Sequence, residues 1–222
     1  MGRTRTASLD AWHHLSFAQY QDRRWDRLGA LRVLNHAVLA PRSELRPQPI
    51  DGVDIIVFVR RGVLEHLGAT TEGRRTVAGE VRLISSASGI EHGLYNPGAQ
   101  PAEYVEFRLQ TDRRLERPCQ KVTAFPTRDC KDRLFTLATG FPEDRAGMPL
   151  HAPARVAAMR VRGGHRQVYS TRSRQTYILC VAGRIQIDAI HLAAGDAAII
   201  RRASSFTLHA LAGSEVVLVE TE

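Results

Sequence analysis

Arginine is the residue type best placed to do chemistry in this 222-residue chain. Of its 31 basic residues all but Lys121 and Lys131 are arginine, set against 23 acidic residues for a net charge of +8. The bias peaks between His151 and Ile187, where Arg155, Arg160, Arg162, Arg166, Arg172, Arg174 and Arg184 occur without one Asp or Glu. Such a stretch draws a polyanion by releasing its counterions, so an acidic protein or a nucleic acid is an expected partner of Arg160, Arg162, Arg166, Arg172 and Arg174. A solvated basic face is the alternative, because no RNA-module or zinc-finger spacing accompanies the charge. Thiol chemistry finds little support: Cys119, Cys130 and Cys180 are odd in number and show no C-x-x-C spacing. His165, His191 and His209 stand apart as surface or loop residues. No Gly-x-Ser-x-Gly elbow, phosphate-cradling glycine loop or dinucleotide fingerprint is present, and Gly163-Gly164 reads as a turn.

The elements that must carry these side chains are short strands. Helical periodicity is scarce, whereas alternating or apolar runs broken by Gly, Pro, Asn and Asp recur throughout. Strands are expected at 31–38, 54–59, 63–67, 81–85, 104–110, 157–162, 177–181, 184–187, 197–200, 205–210 and 216–220, with one short helix over 129–138. His13 and His14 beside Trp12 suit a strand laid across the barrels, and His66 closes another. This many short strands suits a barrel or sandwich, since an open parallel sheet would need crossover helices. No apolar run nears the roughly 20 residues of a membrane helix, and no secretory signal opens the sequence, so a cytoplasmic protein with no membrane partner is expected.

A repeat narrows the fold. The strand at 55–59 meets Gly62, a second strand follows, and then comes Gly79-Glu80 with a third strand; the run at 177–181, Gly183 and Gly195-Asp196 repeats this. Gly183 lies 121 residues after Gly62, and Gly195 lies 116 after Gly79. Each glycine allows the positive φ of a tight turn, and the acidic residue after the second can bond turn amides. Two all-β units are expected, over residues 1–116 and 117–222.

The strand, Gly, strand, Gly-Asp/Glu, strand order resembles the cupin barrel, and two in tandem resemble a bicupin with jelly-roll-like β-barrels. WHHLSFAQY at 12–20, LGALRVLN at 28–35, GVLEH at 62–66, SGIEH at 88–92 and Tyr95-Asn96 are together similar to the pirin family. That resemblance implies a mononuclear metal site in the N-terminal barrel, iron or another divalent transition metal, held by a His-x-His and a His-x-Glu. Imidazole and carboxylate suit such an ion, and positions i and i+2 on a strand reach one barrel face.

Carried onto this chain, the His-x-His falls on Gln48-Pro49-Ile50 and the His-x-Glu on His92-Gly93-Leu94. One donor of four survives, and isoleucine and leucine have no lone pair to give. No bound cofactor is therefore expected. The expected function is a non-catalytic binding or regulatory protein with an apolar N-terminal pocket for a small molecule. A rebuilt set of His92, Asp54 and Glu106 stays open, as do its bland alternatives: a hydrogen-bonded core histidine, a turn-bonding Asp54 and an arginine-paired Glu106. The family also contains flavonol-opening enzymes, so a metal-dependent dioxygenase of the quercetin 2,3-dioxygenase type is the competing expectation, and metal-independent chemistry with Glu106 or Asp54 as base is a third. In the second unit the family positions map to Tyr169, Thr171 and Leu208, which form no ligand cluster.

Overall fold

The computed structural model describes residues 1–17, 20–22, 25–68, 74–111, 117–125, 132–171 and 175–222. Among these the regular structure is β, and no helix is long and apolar enough to cross a membrane. Two compact units emerge, one of residues 1–125 with 150–152, the other of 126–149 with 153–222. The first unit reaches beyond residue 116 because Cys119–Ala124 pairs with Glu80–Ser85 over six residues and so extends its sheet.

The first unit holds β1 (Gly2–Arg5), β2 (Leu9–His13), β3 (Leu31–Leu39), β4 (Glu44–Ile50), β5 (Val53–Arg61), β6 (Val63–Leu67), β7 (Arg74–Val77), β8 (Glu80–Ser85), β9 (Ile90–Tyr95), β10 (Ala102–Gln110) and β11 (Cys119–Ala124). They form a seven-stranded sheet, β1-β2-β3-β10-β5-β8-β11, and a four-stranded one, β4-β9-β6-β7. Central β5 is apolar on both faces and buried from Val53 to Val59, which is why it reads as a continuous run rather than an alternation. Edge strand β4 is the reverse: ELRPQPI is polar, largely exposed and carries two prolines, tolerable only where no ladder partner is needed. Between the sheets a core gathers Ala37, Leu39, Ile55, Val57, Leu94 and Tyr104.

The second unit repeats the plan with β12 (Phe135–Thr139), β13 (Met148–Pro149), β14 (Ala154–Val161), β15 (Arg166–Ser170), β16 (Gln175–Ala182), β17 (Arg184–Ile187), β18 (Ile190–Ala193), β19 (Ala197–Arg201), β20 (Ser205–Ala210) and β21 (Ser214–Thr221). Its sheets run β13-β12-β14-β21-β16-β19 and β15-β20-β17-β18. Strand β12 occupies the C-terminal half of the span expected to be helical, because antiparallel pairing to β14 satisfies its backbone; residues 129–131 of that span lie outside the described residues.

Every strand expected from the sequence is found. The repeat also has the anticipated turn chemistry. Gly62, Gly79, Gly183 and Gly195 have φ of +78°, +88°, +84° and +91°. The Glu80 carboxylate accepts from the Val77 amide at 2.9 Å, and Asp196 accepts from the Ala193 amide at 3.0 Å. One sequence grammar thus specifies the same hairpin turn twice.

Candidate ligand pocket

A cavity of about 280 Å³ opens in the first unit, between inward-facing alternate residues of both sheets. Strand pairing writes one wall in rows: His13 on β2 lies opposite Asn35 on β3, and Asn35 lies opposite Glu106 on β10. The next row is Ala11, Ala37 and Tyr104. Because side chains alternate along a strand, Tyr104, Glu106 and Arg108 share a face, and all three line the cavity. The facing wall comes from the antiparallel pair β4 and β9, where Gln48 sits opposite His92 and Leu45 opposite Leu94. A bulge separates these pairs, and Gly93 permits it: a Cβ there would lie 2.5 Å from the Leu45 carbonyl oxygen and 2.7 Å from the Pro47 nitrogen.

The polar row is a hydrogen-bonded series. His13 Nδ1 donates to Asn35 Oδ1 at 2.8 Å, while its Nε2 lies 2.8 Å from the Thr4 hydroxyl. The Asn35 side chain in turn bonds the Glu106 carboxylate, and Arg108 Nε donates to Glu106 Oε1 at 2.8 Å. Burial alone would raise the Glu106 carboxyl, but the Arg108 charge and the hydrogen bonds outweigh it and hold the group below its ordinary range. The guanidinium of Arg108 also lies over the Phe17 ring, 5.3 Å from its centroid.

On the facing wall, Nε2 of His92 is 3.2 Å from Nδ1 of His66, and Nε2 of His66 is 2.9 Å from the Thr76 hydroxyl. Arg82 Nε donates to that same oxygen at 2.8 Å. Accepting from Arg82 leaves the Thr76 hydroxyl a second lone pair and its own proton, so it can donate to His66 Nε2 or accept from it. One of the facing nitrogens, His66 Nδ1 or His92 Nε2, carries the proton of the bond between the two rings. Burial pushes His92 down to about 4, against the opposing charge of Glu106, and holds His66 well below the usual imidazole range, so both rings are neutral.

The sequence-expected residues divide accordingly. Gln48, His92, Leu94 and Glu106 meet at the cavity. Ile50 is partly buried against the hydrophobic core instead. Asp54 is a correction: it is fully buried, takes hydrogen bonds from the Ser85 hydroxyl and the His151 and Ala152 amides, and does not line the cavity. Consequently His92, Asp54 and Glu106 are not gathered at one point. Among the described residues no group of three or more His, Cys, Asp or Glu is placed to hold a metal ion.

The structure adds His13, Asn35, Arg108 and His66, none of which sequence reading selected. Two were within its reach: Tyr104, Glu106 and Arg108 follow an i, i+2, i+4 spacing inside an expected strand, and His66 shares alternation with buried Leu64. His66, expected only to close a strand, is fully buried as the partner of His92.

In the second unit the corresponding interior is filled. Tyr169 stacks on Phe206 with centroids 5.7 Å apart, and Leu208 is buried beside them. The arginine-rich stretch is partly compensated in space by acids distant in sequence. Arg160 bonds Glu215, Arg162 bonds Asp132 at 2.6 Å, and Arg155 pairs with Glu220. Arg166 is exposed on β15, and Arg172 and Arg174 lie outside the described residues.

The pirin family model matches residues 1–110, and a model described as the quercetinase C-terminal cupin domain matches residues 141–221. A pirin-like protein of Caulobacter vibrioides is 33% identical over 213 residues, covering 96% of this chain and 92% of the relative. A putative quercetin 2,3-dioxygenase of Pseudomonas aeruginosa is 32% identical over 221 residues, covering 99% and 95%. Among solved structures, YhhW of Escherichia coli superposes with a TM-score of 0.90 at 22% identity, covering 100% and 94%. The same bacterial pirin in complex with nickel(II) gives a TM-score of 0.89 at 22% identity, covering 99% and 94%.

Proposed function

Because the chain belongs to the pirin family of bicupins, we propose that its N-terminal barrel has given up the family's metal-binding set and serves as a non-catalytic pocket for a small organic molecule. The observation that carries this reading is the donor chemistry of the barrel. At the family's four ligand positions stand an amide, two hydrocarbons and one imidazole, Gln48, Ile50, Leu94 and His92. The imidazole's Nε2 is already engaged in a hydrogen bond with His66 Nδ1 at 3.2 Å. The nearest carboxylate, Glu106, is engaged by Arg108 and Asn35. A transition ion needs several unencumbered nitrogen or carboxylate donors, and this set does not fit one.

What the residues do support is binding. Leu45, Leu94 and Tyr104 supply apolar surface, while Gln48, His92 and Arg108 supply a few fixed polar groups, the mixture typical of small-molecule sites. Modulation of a partner by ligand occupancy is the regulatory role proposed. Acidic protein or nucleic acid remains the proposed partner class for the second unit, with Arg166 among its exposed cations and binding that weakens steeply with salt.

A dioxygenase of the quercetin 2,3-dioxygenase type is the second reading, favoured by the Pseudomonas aeruginosa relative and by the family model of the C-terminal unit. Elemental analysis of protein purified without chelators separates the two. Transition metal far below one ion per chain is expected; a stoichiometric ion lost in His92→Ala overturns the binding reading in favour of the enzyme.

A further inference from the structure

The geometry points to a small organic carboxylate as the molecule this pocket takes, with Arg108 as its anchoring residue. This inference rests on the pocket-binding reading and sharpens it. A guanidinium carries five N–H donors, and Arg108 spends one of them, Nε–H, on Glu106. Its two terminal nitrogens make no hydrogen bond among the described residues, and they form the edge that a carboxylate engages with two parallel bonds. The head is also held still. Glu106, itself buried and tied to Asn35, grips one side, and the Phe17 ring lies against the face. An arginine oriented before the ligand arrives loses little rotamer freedom on binding.

Charge and shape agree with an anion of modest size. The cavity wall carries Arg108 and Arg46 against the single carboxylate of Glu106. Arg46 meets Glu44 only at 3.8 Å on the exposed rim, a weak and screened pair. A monoanion therefore brings the wall to neutrality. The space of about 280 Å³ is nearly twice the roughly 150 Å³ that accepts benzene in a packed protein interior, room for one or two rings against Leu45, Leu94 and Tyr104. The His92 imidazole and the amide of Gln48 on the cavity wall are hydrogen-bond partners for a second polar group on the ring.

Benzoate and benzamide, equal in shape and different in charge, make the test. Calorimetric titration of the full chain at low salt is expected to show benzoate at least about tenfold tighter than benzamide. In Arg108→Lys, which preserves the charge facing Glu106 but not the fork, that preference is expected to fall to about twofold or less. The wild-type contrast stands without any variant, should this one fold poorly. Equal or better binding of benzamide overturns the carboxylate assignment while leaving a small-molecule pocket in place. Binding of neither compound, or an undiminished preference in well-folded Arg108→Lys, overturns it as well. A stoichiometric metal in the untreated protein overturns the underlying reading instead, so the two failures are told apart.

Discussion

Arg82 is linked to His92 through two side chains. Its Nε donates to Thr76, the Thr76 hydroxyl faces His66 Nε2, and His66 Nδ1 faces His92 Nε2. Where the Thr76 proton lies toward His66 Nε2, His66 donates from Nδ1, and His92 accepts at Nε2 and keeps its own proton on Nδ1. Nitrogen-15 NMR of labelled protein at pH 7 is expected to show a protonated Nδ1 and an unprotonated, hydrogen-bonded Nε2 for His92. His66→Leu leaves the latter atom buried without its donor, which costs about 1–3 kcal/mol in urea unfolding. A protonated Nε2 in the wild type would refute the assignment.

Restoring the family donors tests whether their loss is what excludes metal. The variant Gln48→His, Ile50→His, Leu94→Glu puts two imidazoles on alternate positions of β4 and a carboxylate two residues beyond His92. Three new donors outcompete one His66 hydrogen bond, so uptake of about one nickel(II) or iron(II) per chain is expected. The wild type under the same conditions is expected to take up far less. A folded triple variant that stays metal-free would show that some other feature of the barrel excludes the ion.

Stability is expected to fall in acid in two stages, for reasons of opposite chemistry but the same sign. Burial pushes His14 down to about 3, so between that value and its unfolded pKa near 6.5 the unfolded chain binds a proton that the folded one refuses. Its contribution is present above pH 6.5 and declines by about 1.4 kcal/mol per pH unit below it. The hydrogen bond from His36, with Arg60 and Arg61 close by, lowers Glu103 to about 2 despite the opposing effect of burial. That contribution is whole above pH 4.5 and is lost on the way down to pH 2; screening around exposed Arg61 limits it to about 2 kcal/mol. Urea midpoints in His14→Gln should decline between pH 6.5 and 4.5 less steeply than in the wild type, by one proton's worth. Identical slopes would remove His14 from the account.

How far these features were legible in the sequence follows from the range of the interactions. Strands such as 63–67 and 184–187 announce themselves because their hydrophobic pattern and flanking glycines are local. Strands β4, β11 and β15 do not, being polar pieces held in place by a partner far along the chain. The site shows the same division. Gln48, Ile50, His92 and Leu94 could be located by motif, but the row His13, Asn35 and Glu106 exists only through the register of three strands. Asp54 was misplaced for a related reason. Its alternation within an apolar run says that it is buried, not that residues almost a hundred positions later bring the amides it satisfies.

That last arrangement yields its own measurement. Asp54 Oδ2 accepts from the His151 amide at 2.6 Å and the Ala152 amide at 3.1 Å, while Oδ1 accepts from the Ser85 hydroxyl. An Asp54→Ala change strands two backbone donors and leaves the Ser85 hydroxyl only His151 Nδ1, 3.0 Å away, a loss of about 3 kcal/mol. Asp54→Asn recovers most of that loss: its oxygen accepts from both amides in the place of Oδ2, and its N–H₂ donates to the Ser85 hydroxyl, which has His151 Nδ1 as its own acceptor at 3.0 Å. Hydrogen exchange distinguishes this tie from a generic packing defect. The amides of His151 and Ala152 are expected to lose protection well before those of β5 in Asp54→Ala but not in Asp54→Asn, because the side-chain oxygen is their partner and the β5 ladder is independent of it. Uniform loss across the first unit would mean that Asp54 acts through the core and not through this segment.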